Sequence, residues 1–399
     1  DYSLCTLEFE ARRDSYYWLV DKLAPPLFKS LQFEFSRLNI EYAQLSKRRL
    51  KLLVEANHVN GWDDPRLFTI NGLRRRGFTS EGINNFIRDV GFSRNENVIE
   101  IDRFHFHVRA HLNETSRRAT AVTGMPLEIE ITNFPDGAAP EIKNLPNHPT
   151  DKSYGTRSIP FSRTIWLSRE DWRDVDDDKD FYGLAPGKEI RLKYAYNIKC
   201  TGILERDPET GVVTKVAATY DPENKTKKCK VLTWLGNGEG NAKPRSAEVR
   251  VYHHLFTCPV PGAEAARAKK EKMLADKAAG VVAAEEEEEE DSGPPAWLDD
   301  VNPDSMEITT HMFDESVFAF ADKPFTRFQM ERVGYYVVDP DSTIEKPIFN
   351  RTLGLRERAD KKRVGAKNGG AAGAKAGPAA GPSAWTKTEI KVGQIVKAW

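Results

Sequence analysis

From about residue 121 onward, apolar and polar residues alternate in one short run after another. The run LEIEITNF places Leu127, Ile129 and Ile131 on one side, and EIRLKYAYNIKC continues the pattern. Successive side chains of a strand point to opposite faces, so a period of two predicts strands with one buried face. Turn signals such as DPETG at 207–211 separate the runs, and no helical pattern lies between them. The sequence therefore predicts antiparallel β-barrels in this part of the chain.

The first 120 residues have a different periodicity. Residues 1–57 predict a mixed α/β part, whereas 58–120 have the spacing of helices. Thr79 is a suitable N-cap for one helix, and a second helix is predicted from about Asp102 to Asn113. Its apolar face carries Phe104, Val108 and Leu112. A chain of 399 residues is too long for a single core, so several domains are expected.

Composition limits the function classes only weakly. The net charge of −1 does not identify a nucleic-acid binder, so any such site must come from local clustering. Four cysteines without a CxxC pair favour a reducing compartment over a zinc ribbon or a disulfide scaffold. No apolar run approaches the ~20 residues of a spanning helix, so no membrane association is expected. His107 and His111 share a helix face, but with no third ligand nearby no metal site is predicted.

Two segments have biased composition. Residues 263–295 are rich in Ala, Lys and Glu and include the run Glu285–Glu290, which predicts an inserted low-complexity loop. Residues 357–384 are rich in Gly, Ala, Lys and Pro and predict a flexible linker. The chain then ends in a strand-like segment at 385–399.

Clustered cations provide the candidate anion sites. In LSKRRL three cations follow Ser46, and either a solvated helix end or an anion site would explain them, the solvated end being favoured from the residues alone. In GLRRRG no acidic run faces the guanidiniums in sequence, which leaves phosphate binding open. The arginines at 117–118 and the Gln and Arg of FQMER can bind the base edges of unstacked RNA. From their spacing alone, ordinary solvated polar side chains are the favoured explanation.

Six fragments, taken in order, resemble one family closely. They are SLCTLEFEARRDSYYWL, FEFSRLNIEYAQLSKRRL, GWDDPRLFTINGLRRRG, LPNHPTDKSYGTRSIPFS, GKEIRLKYAYNIKC and FQMERVGYYVVD with EKPIFNRTLGL. The family is that of the glutaminyl-tRNA synthetases, which are class I aminoacyl-tRNA synthetases, and the resemblance covers about residues 1–356 apart from 263–295. The family's HIGH-type signature is not among these residues and is expected upstream, so the chain alone is expected to be inactive.

The resemblance implies an ATP site around the LSKRRL segment, which is similar to the family's KMSKS loop with Leu45 in place of the usual Met. Lys47 is then the mobile lysine that clamps the phosphates while the glutamine carboxylate attacks ATP, and Ser46 fixes the loop. Arg37 maps to an arginine near ATP and the tRNA 3′ end, and Cys5 to a cysteine bordering the glutamine pocket. The implied nucleotide-binding residues are Arg37, Leu38, Leu45, Ser46 and Lys47, with Mg²⁺ accompanying ATP as substrate and no metal bound by this chain.

The resemblance also implies an anticodon-binding surface. Arg118, Gln329 and Arg332 map to the residues that read the middle base, so two distant polar clusters should meet in one barrel. Arg191 maps to a first-base contact. The segment DKDFYGLAPGK has few of the basic residues that read the third base in bacterial members, but its Phe181 and Tyr182 can stack on a base. The expected tRNA-binding residues are Asn113, Arg118, Arg191, Lys193, Gln329 and Arg332, together with Arg74, Arg75 and Arg76 on chemical grounds.

The implied architecture is an α/β remnant of a Rossmann-like catalytic domain, a helical subdomain and two anticodon-binding barrels. The expected boundaries are 1–57 for the catalytic part, 58–120 for the helical subdomain, 121–165 with 245–356 for the proximal barrel, and 166–244 for the distal barrel. The tail at 385–399 resembles the first strand of an EMAP-like tRNA-binding OB domain.

The implied function is ATP-dependent attachment of glutamine to tRNA(Gln) in the cytoplasm. The acidic insertion or the C-terminal extension is a candidate contact with a multisynthetase or another protein partner. Two alternatives stay open at the level of the sequence. One is a eukaryotic-type glutamyl-tRNA synthetase, because amino-acid discrimination lies upstream. The other is a non-catalytic tRNA-binding fragment.

Overall fold

The computed structural model describes residues 2–23, 30–178, 180–263, 267, 271 and 295–356. Most of the predicted insertion at 263–295, with its glutamate run, lies outside the described residues, as do the predicted linker at 357–384 and the tail at 385–399. Nothing in the structure therefore bears on those three predictions.

The N-terminal part mixes strands and helices, as its periodicity predicts. Strands β1 (Tyr2–Thr6) and β2 (Leu31–Phe35) form a parallel pair, with helix α1 (Arg13–Leu23) between them in sequence. A short strand β3 (Asn39–Ile40) pairs in parallel with β4 (Val98–Ile99), which lies in the helical part of the chain. This pairing ties the α/β part to the helices that follow it.

Four helices make up most of the region 47–115. They are α2 (Lys47–Glu55), α3 (Ile70–Arg76), α4 (Ser80–Val90) and α5 (Ile101–Thr115). The predicted cap at Thr79 is confirmed, because its hydroxyl oxygen accepts the backbone N–H of Gly82 at 3.1 Å. The predicted apolar face of α5 is confirmed as well, since Phe104, Val108 and Leu112 are all buried. Phe104 packs on the rings of α4 and the α3–α4 turn.

The rest of the described chain is dominated by strands. In LEIEI every second residue is buried, which is the result that the period of two predicts. The strands are β5 (Arg117–Ala119), β6 (Ala121–Val122), β7 (Leu127–Ile131), β8 (Glu141–Pro146), β9 (Thr156–Phe161), β10 (Thr164–Leu167), β11 (Glu189–Leu192), β12 (Asn197–Arg206), β13 (Val213–Asp221), β14 (Val231–Leu232), β15 (Leu235–Gly236), β16 (Ser246–Tyr252), β17 (Met306–Phe313), β18 (Arg327–Met330), β19 (Gly334–Val338) and β20 (Ile348–Gly354).

Fourteen of these strands form two seven-stranded sheets, which we call the first and second curled sheets. The first has the order β5-β18-β19-β20-β16-β17-β6, and the second has the order β14-β11-β12-β13-β7-β10-β15. In the first sheet the two edge strands are joined by Thr120 alone, and in the second by Thr233 and Trp234. Because consecutive trans residues are only about 3.8 Å apart, opposite edges so connected must lie close together. Each sheet therefore curls into a barrel-like shape.

The strand pairing differs from the sequence-based expectation in two respects. Each curled sheet contains two parallel pairs beside four antiparallel ones, so neither is purely antiparallel. The pairing also does not follow the expected division at 165/166. Strands β7 and β10 pair within the second curled sheet, and β5, expected in the helical subdomain, pairs within the first. Periodicity specifies which face of a strand is buried but not which strand it pairs with.

A hairpin of β8 and β9 lies where the two edges of the first curled sheet meet. Its Arg157 is buried, and the guanidinium donates to the Thr120 hydroxyl at 3.0 and 3.2 Å and to the Pro146 carbonyl at 2.7 Å. The same group forms ion pairs with Glu331 at 3.0 Å and with Asp314 at 3.7 Å. One buried cation thus connects the hairpin, the Thr120 junction and the turn after β18.

Candidate nucleic-acid interface

The two polar clusters that were expected to meet do lie side by side. Strands β5 and β18 pair in parallel with Arg118 opposite Gln329, which confirms their expected juxtaposition. Their neighbours Ala119, Phe328 and Met330 belong to the core of the first curled sheet. Because side chains alternate along a strand, Arg118 and Gln329 project from the opposite face.

Arg118 is buried but is not neutralised by an ion pair within the described residues. Its guanidinium donates to the Ser116 carbonyl at 2.6 Å and to the Asn113 carbonyl at 2.9 Å and side-chain oxygen at 3.2 Å. Burial lowers the pKa of Arg118, although a guanidinium still stays protonated at neutral pH. Helix α5 ends at Thr115, so its last turn supplies the acceptors that hold this cation in place.

Gln329 has an unsatisfied acceptor beside that cation. Its side chain is buried, and its Oε1 has no hydrogen-bond partner in the described part of the chain. A buried polar atom without a partner costs about 1–3 kcal/mol, so such an atom indicates a place where a ligand completes the hydrogen bonding. An amide beside a guanidinium offers both donors and an acceptor, which is the combination that reads a base edge.

Two further predicted residues, Arg332 and Lys193, connect the curled sheets through ion pairs. Arg332 follows β18 with a φ of 67° and binds Asp171 through two bonds of 2.7 and 2.8 Å. The Lys193 ammonium binds a Glu331 carboxylate oxygen at 2.7 Å. The Arg332 side chain is one-third exposed, and a guanidinium has five N–H donors, so the Asp171 contact leaves donors for a second partner.

Arg191 and Asn113 occupy different positions relative to this cluster. Asn113 is part of it, because its side-chain oxygen accepts from Arg118 and from the Tyr335 hydroxyl at 3.3 Å. Arg191 lies on β11 of the second curled sheet and donates to the Asn197 side chain at 2.8 Å and the Thr226 carbonyl at 3.0 Å. Its hydrogen bonds do not connect it to Arg118 or Gln329.

No acidic run faces the three arginines of α3 in sequence, but the fold brings acidic groups to one of them. Arg75 binds Asp339 through two bonds of 3.0 Å, Asp341 at 2.6 Å and Asp63 at 3.0 Å. Asp339 and Asp341 are more than 260 residues away in sequence, so a search along the chain misses them. A guanidinium this fully engaged is a structural group rather than a phosphate ligand.

The flanking arginines have different environments. Arg74 is exposed, with its guanidinium 4.2 Å from the Phe325 ring centroid. Arg76 is half-buried and donates to the Tyr252 carbonyl at 3.2 Å. Arg74 is therefore the most accessible of the three for a phosphate.

The LSKRRL segment begins a helix. Ser46 is the N-cap residue of α2, with extended backbone angles and no side-chain cap bond, and Lys47 is the first helical residue. The first turn carries no acidic residue, and both Ser46 and Lys47 are exposed with Leu45. Free amides at a helix N-terminus attract anions, so three cations at this end form an arrangement suited to phosphate.

The other expected nucleotide and substrate residues lie apart from that helix start. Arg37 and Leu38 line a cavity of about 440 Å³ with residues of the α4–α5 connection, and Leu45, Ser46 and Lys47 are not among its lining residues. Arg37 also forms an ion pair with Glu8. Cys5 is half-buried on β1, opposite Glu34 in the parallel register. The lining of this cavity thus includes Arg37 and Leu38 but not Cys5 or the start of α2.

Sequence reasoning missed several partners within the interface. Asp171, Glu331 and Tyr335 hold predicted residues in position, but each comes from a distant part of the chain. The LPNHP segment was noticed only as a resemblance, yet its Asn147 carbonyl accepts the Arg118 backbone N–H at 2.7 Å. No local sequence signal distinguishes these residues from others on the same strands and turns.

Neither a metal-binding group nor a membrane-spanning helix is found among the described residues. They contain no group of three His, Cys, Asp or Glu side chains arranged to hold a metal ion. His107 contacts Asp89 and His111 contacts Thr79, each at 3.0 Å, so these histidines have separate partners. None of the helices in the same set is both long and apolar enough to span a bilayer.

Three family models match consecutive parts of this chain. A model of class I tRNA synthetases (E and Q), catalytic domain, matches residues 2–114, and two models of anticodon-binding domains of the same class match 116–221 and 231–339. The chain therefore belongs to the class I tRNA synthetases of the E and Q group, with part of a catalytic domain followed by two anticodon-binding domains.

Three curated proteins similar to this chain carry the name of one member of that group. The chain is 41% identical over 364 residues to a probable glutamine–tRNA ligase of Dictyostelium discoideum, covering 91% of this chain and 41% of that protein. It is 39% identical to the cytoplasmic glutamine–tRNA ligase of Arabidopsis thaliana, covering 90% and 41%. It is 37% identical to the glutamine–tRNA ligase of Bradyrhizobium diazoefficiens, covering 90% and 58%. The chain thus spans about half the length of these relatives.

Proposed function

We propose that this chain is the anticodon-reading part of a glutamine–tRNA ligase and also contributes its KMSKS-like loop. The observation that carries the proposal is the pairing of Arg118 with Gln329, whose Oε1 has no partner among the described residues. The names of the relatives support the glutaminyl form over the glutamyl alternative. The intact enzyme would attach glutamine to tRNA(Gln) in the cytoplasm through a glutaminyl-adenylate.

The proposed reading of the middle anticodon base follows from hydrogen-bond chemistry. Single-stranded anticodon bases expose their edges, so side chains can bind them directly. The Arg118 cation is held by Asn113 and Ser116, and Gln329 adds one acceptor and two donors. Arg332, anchored by Asp171, would contribute a further donor. We assign Arg191 and Lys193 to the first base, and Arg74 to the tRNA backbone.

The proposed role of the loop rests on its electrostatics. ATP with Mg²⁺ is a substrate of this class, and negative charge develops on the leaving phosphates during activation. Lys47, with Ser46 before it, stands at a helix start without an acidic neighbour in the first turn. We propose that Lys47 binds the phosphates, with Arg37 and Leu38 toward the nucleotide and Cys5 toward the glutamine side. Barrel closure and the Rossmann-like remnant complete the proposed architecture.

The proposal is tested by measuring binding of this chain to tRNA(Gln) and to a transcript with a changed middle anticodon base. Wild-type protein is expected to bind the changed transcript roughly 5- to 150-fold more weakly, because one good base contact contributes about 1–3 kcal/mol. Gln329→Ala should remove most of this difference while retaining weak, salt-dependent binding. Filter binding at two salt concentrations measures both effects.

A second variant, Arg118→Ala, removes the cation of the reading cluster, and Arg245→Ala is its matched control. Arg245 lies in an exposed pair with Glu315, so its removal changes net charge equally without touching the reading cluster. We expect Arg245→Ala to keep the discrimination and Arg118→Ala to lose it. If the wild-type chain binds both transcripts equally, the proposal is wrong and a non-specific tRNA-binding fragment is the better description.

A further inference from the structure

Two adjacent aromatic residues in the DKDFYGL segment have different surroundings. The Phe181 ring is covered, because the Arg173 guanidinium lies 4.3 Å from its centroid and Lys188 lies 5.4 Å away. Tyr182 is 49% exposed. Its nearest cations, Arg332 and Lys230, are 5.6 and 5.7 Å from the ring centroid, farther than a close stack. The Tyr182 ring therefore offers aromatic surface to solvent beside two positive charges.

The position of this ring is fixed by the backbone around it. The Tyr182 hydroxyl oxygen accepts the Val231 backbone N–H at 3.0 Å, which restrains the tip of the side chain. At Gly183 a Cβ would come within 2.5 Å of the Asp171 carbonyl oxygen and 2.3 Å of the Phe181 ring, so only glycine permits this close approach. A restrained aromatic ring loses little conformational entropy when a ligand binds.

Asp171 connects this aromatic segment to the reading cluster. Its carbonyl accepts the Leu184 backbone N–H at 2.7 Å, and its carboxylate binds Arg332. Arg332 stands three residues after Gln329 in sequence and approaches the Tyr182 ring. The exposed ring therefore lies next to the site assigned to the middle anticodon base, on the side where the two curled sheets meet.

We propose that Tyr182 is a stacking platform for an unstacked anticodon base that neighbours the middle one. This inference rests on the proposed function, since it takes the Arg118–Gln329 pair as the middle-base site. Stacking on an aromatic ring tolerates any base, because every base has a π-face. Tyr182 would thus add affinity at a flanking position, while Lys230 and Arg332 attract the adjoining phosphate. The base is the first or the third of the anticodon, and the experiment separates the two.

The test uses the full chain and synthetic tRNA(Gln) in which the first or the third anticodon nucleotide is abasic. Tyr182→Ala should weaken binding of unmodified tRNA roughly 5- to 150-fold, the range for loss of one base–aromatic stack. Removing the stacked base should weaken wild-type binding to a similar extent. Tyr182→Ala should bind the tRNA that lacks the stacked base only slightly more weakly than either change alone would predict. With the other abasic tRNA, the losses of affinity from the variant and from the missing base should be additive.

Two protein variants control for structure. Tyr182→Phe keeps the ring and should bind nearly as wild type, whereas Tyr2→Ala removes a somewhat more exposed tyrosine from β1 and should leave anticodon binding unchanged. Additive losses with both abasic tRNAs, or full binding by Tyr182→Ala, would overturn the stacking role. In either case discrimination at the middle base by the wild-type chain would leave the proposed function standing, so the two failures are distinguishable.

Discussion

Replacing Arg157 with methionine is expected to lower the free energy of unfolding by about 3–5 kcal/mol at pH 7. The variant keeps most of the side-chain volume but leaves buried Asp314 without its cation and Glu331 with only the Lys193 ammonium. It also removes the donors to Thr120 and Pro146. Urea unfolding followed by tryptophan fluorescence measures the change.

The loss of unfolding free energy caused by Arg157→Met should become smaller as the pH falls. Burial already raises the pKa of Asp314, against the opposing influence of Arg157, and losing Arg157 raises it further. A carboxyl whose pKa is higher when folded than when unfolded disfavours folding as the pH rises between the two values. Protonation at low pH removes the unpaired charge, so unfolding at pH 5 should show a smaller difference between variant and wild type.

Arg163→Met is the matched control for this prediction. Arg163 forms an ion pair with Asp136, whose side chain is almost fully exposed, and surface pairs contribute about 0–1 kcal/mol. Equal losses of stability in Arg157→Met and Arg163→Met would contradict the structural role assigned to the buried cation.

Replacing Asp339 with alanine is expected to cost a comparable 3–5 kcal/mol, about the loss for breaking a buried ion pair. Asp339 is fully buried, and its removal would leave Arg75 with only the more exposed Asp63 and Asp341 as anionic partners. Burial is the largest single influence and would raise the pKa of Asp339, but the hydrogen bonds from Arg75, the Asp341 backbone N–H and Asn350, together with the Arg75 charge, lower the pKa overall. This contribution to stability is therefore present above the ordinary pKa of aspartate and is lost as the pH falls through the lowered one.

A double variant separates the ion pair from general damage to the fold. Arg75→Met with Asp339→Leu replaces both charges by apolar groups, and such replacements often restore the stability that a single change removes. We expect the double variant to unfold at a higher urea concentration than Asp339→Ala. If the double variant is less stable than Asp339→Ala, the loss of stability comes from packing and not from an unpaired charge.

The strands and helix faces could be predicted because their information is local. The alternation in LEIEI predicts the buried side of β7. Thr79 caps α4 by accepting a hydrogen bond from Gly82, which is only three residues away in sequence. Pairing partners are not local. Nothing in the run that forms β7 indicates that it pairs with β13, some 90 residues later, and for this reason the strand pairing departs from the expected division at 165/166.

The candidate site shows the same division between local and distant information. Resemblance to a family predicts that Arg118 and Gln329 meet, and the register of β5 and β18 places them opposite each other. No pattern along the chain reveals that Asp339 neutralises Arg75 or that Asp171 holds Arg332. The roles assigned to Lys47, Arg37 and Cys5 stay predictions, since the described residues leave these groups apart.

The order of strands in the first curled sheet has a consequence for synthesis of the chain. Its edge strands β5 and β6 leave the ribosome before the whole second curled sheet. The partner of β6, β17, begins 184 residues after β6 ends, and the partner of β5, β18, begins 208 residues after β5 ends. At about 5–20 residues per second, β5 and β6 wait on the order of ten seconds or longer for these partners. The second curled sheet, contiguous from β7 to β15, can form meanwhile. Translation thus allows the second curled sheet to form before the first one is complete.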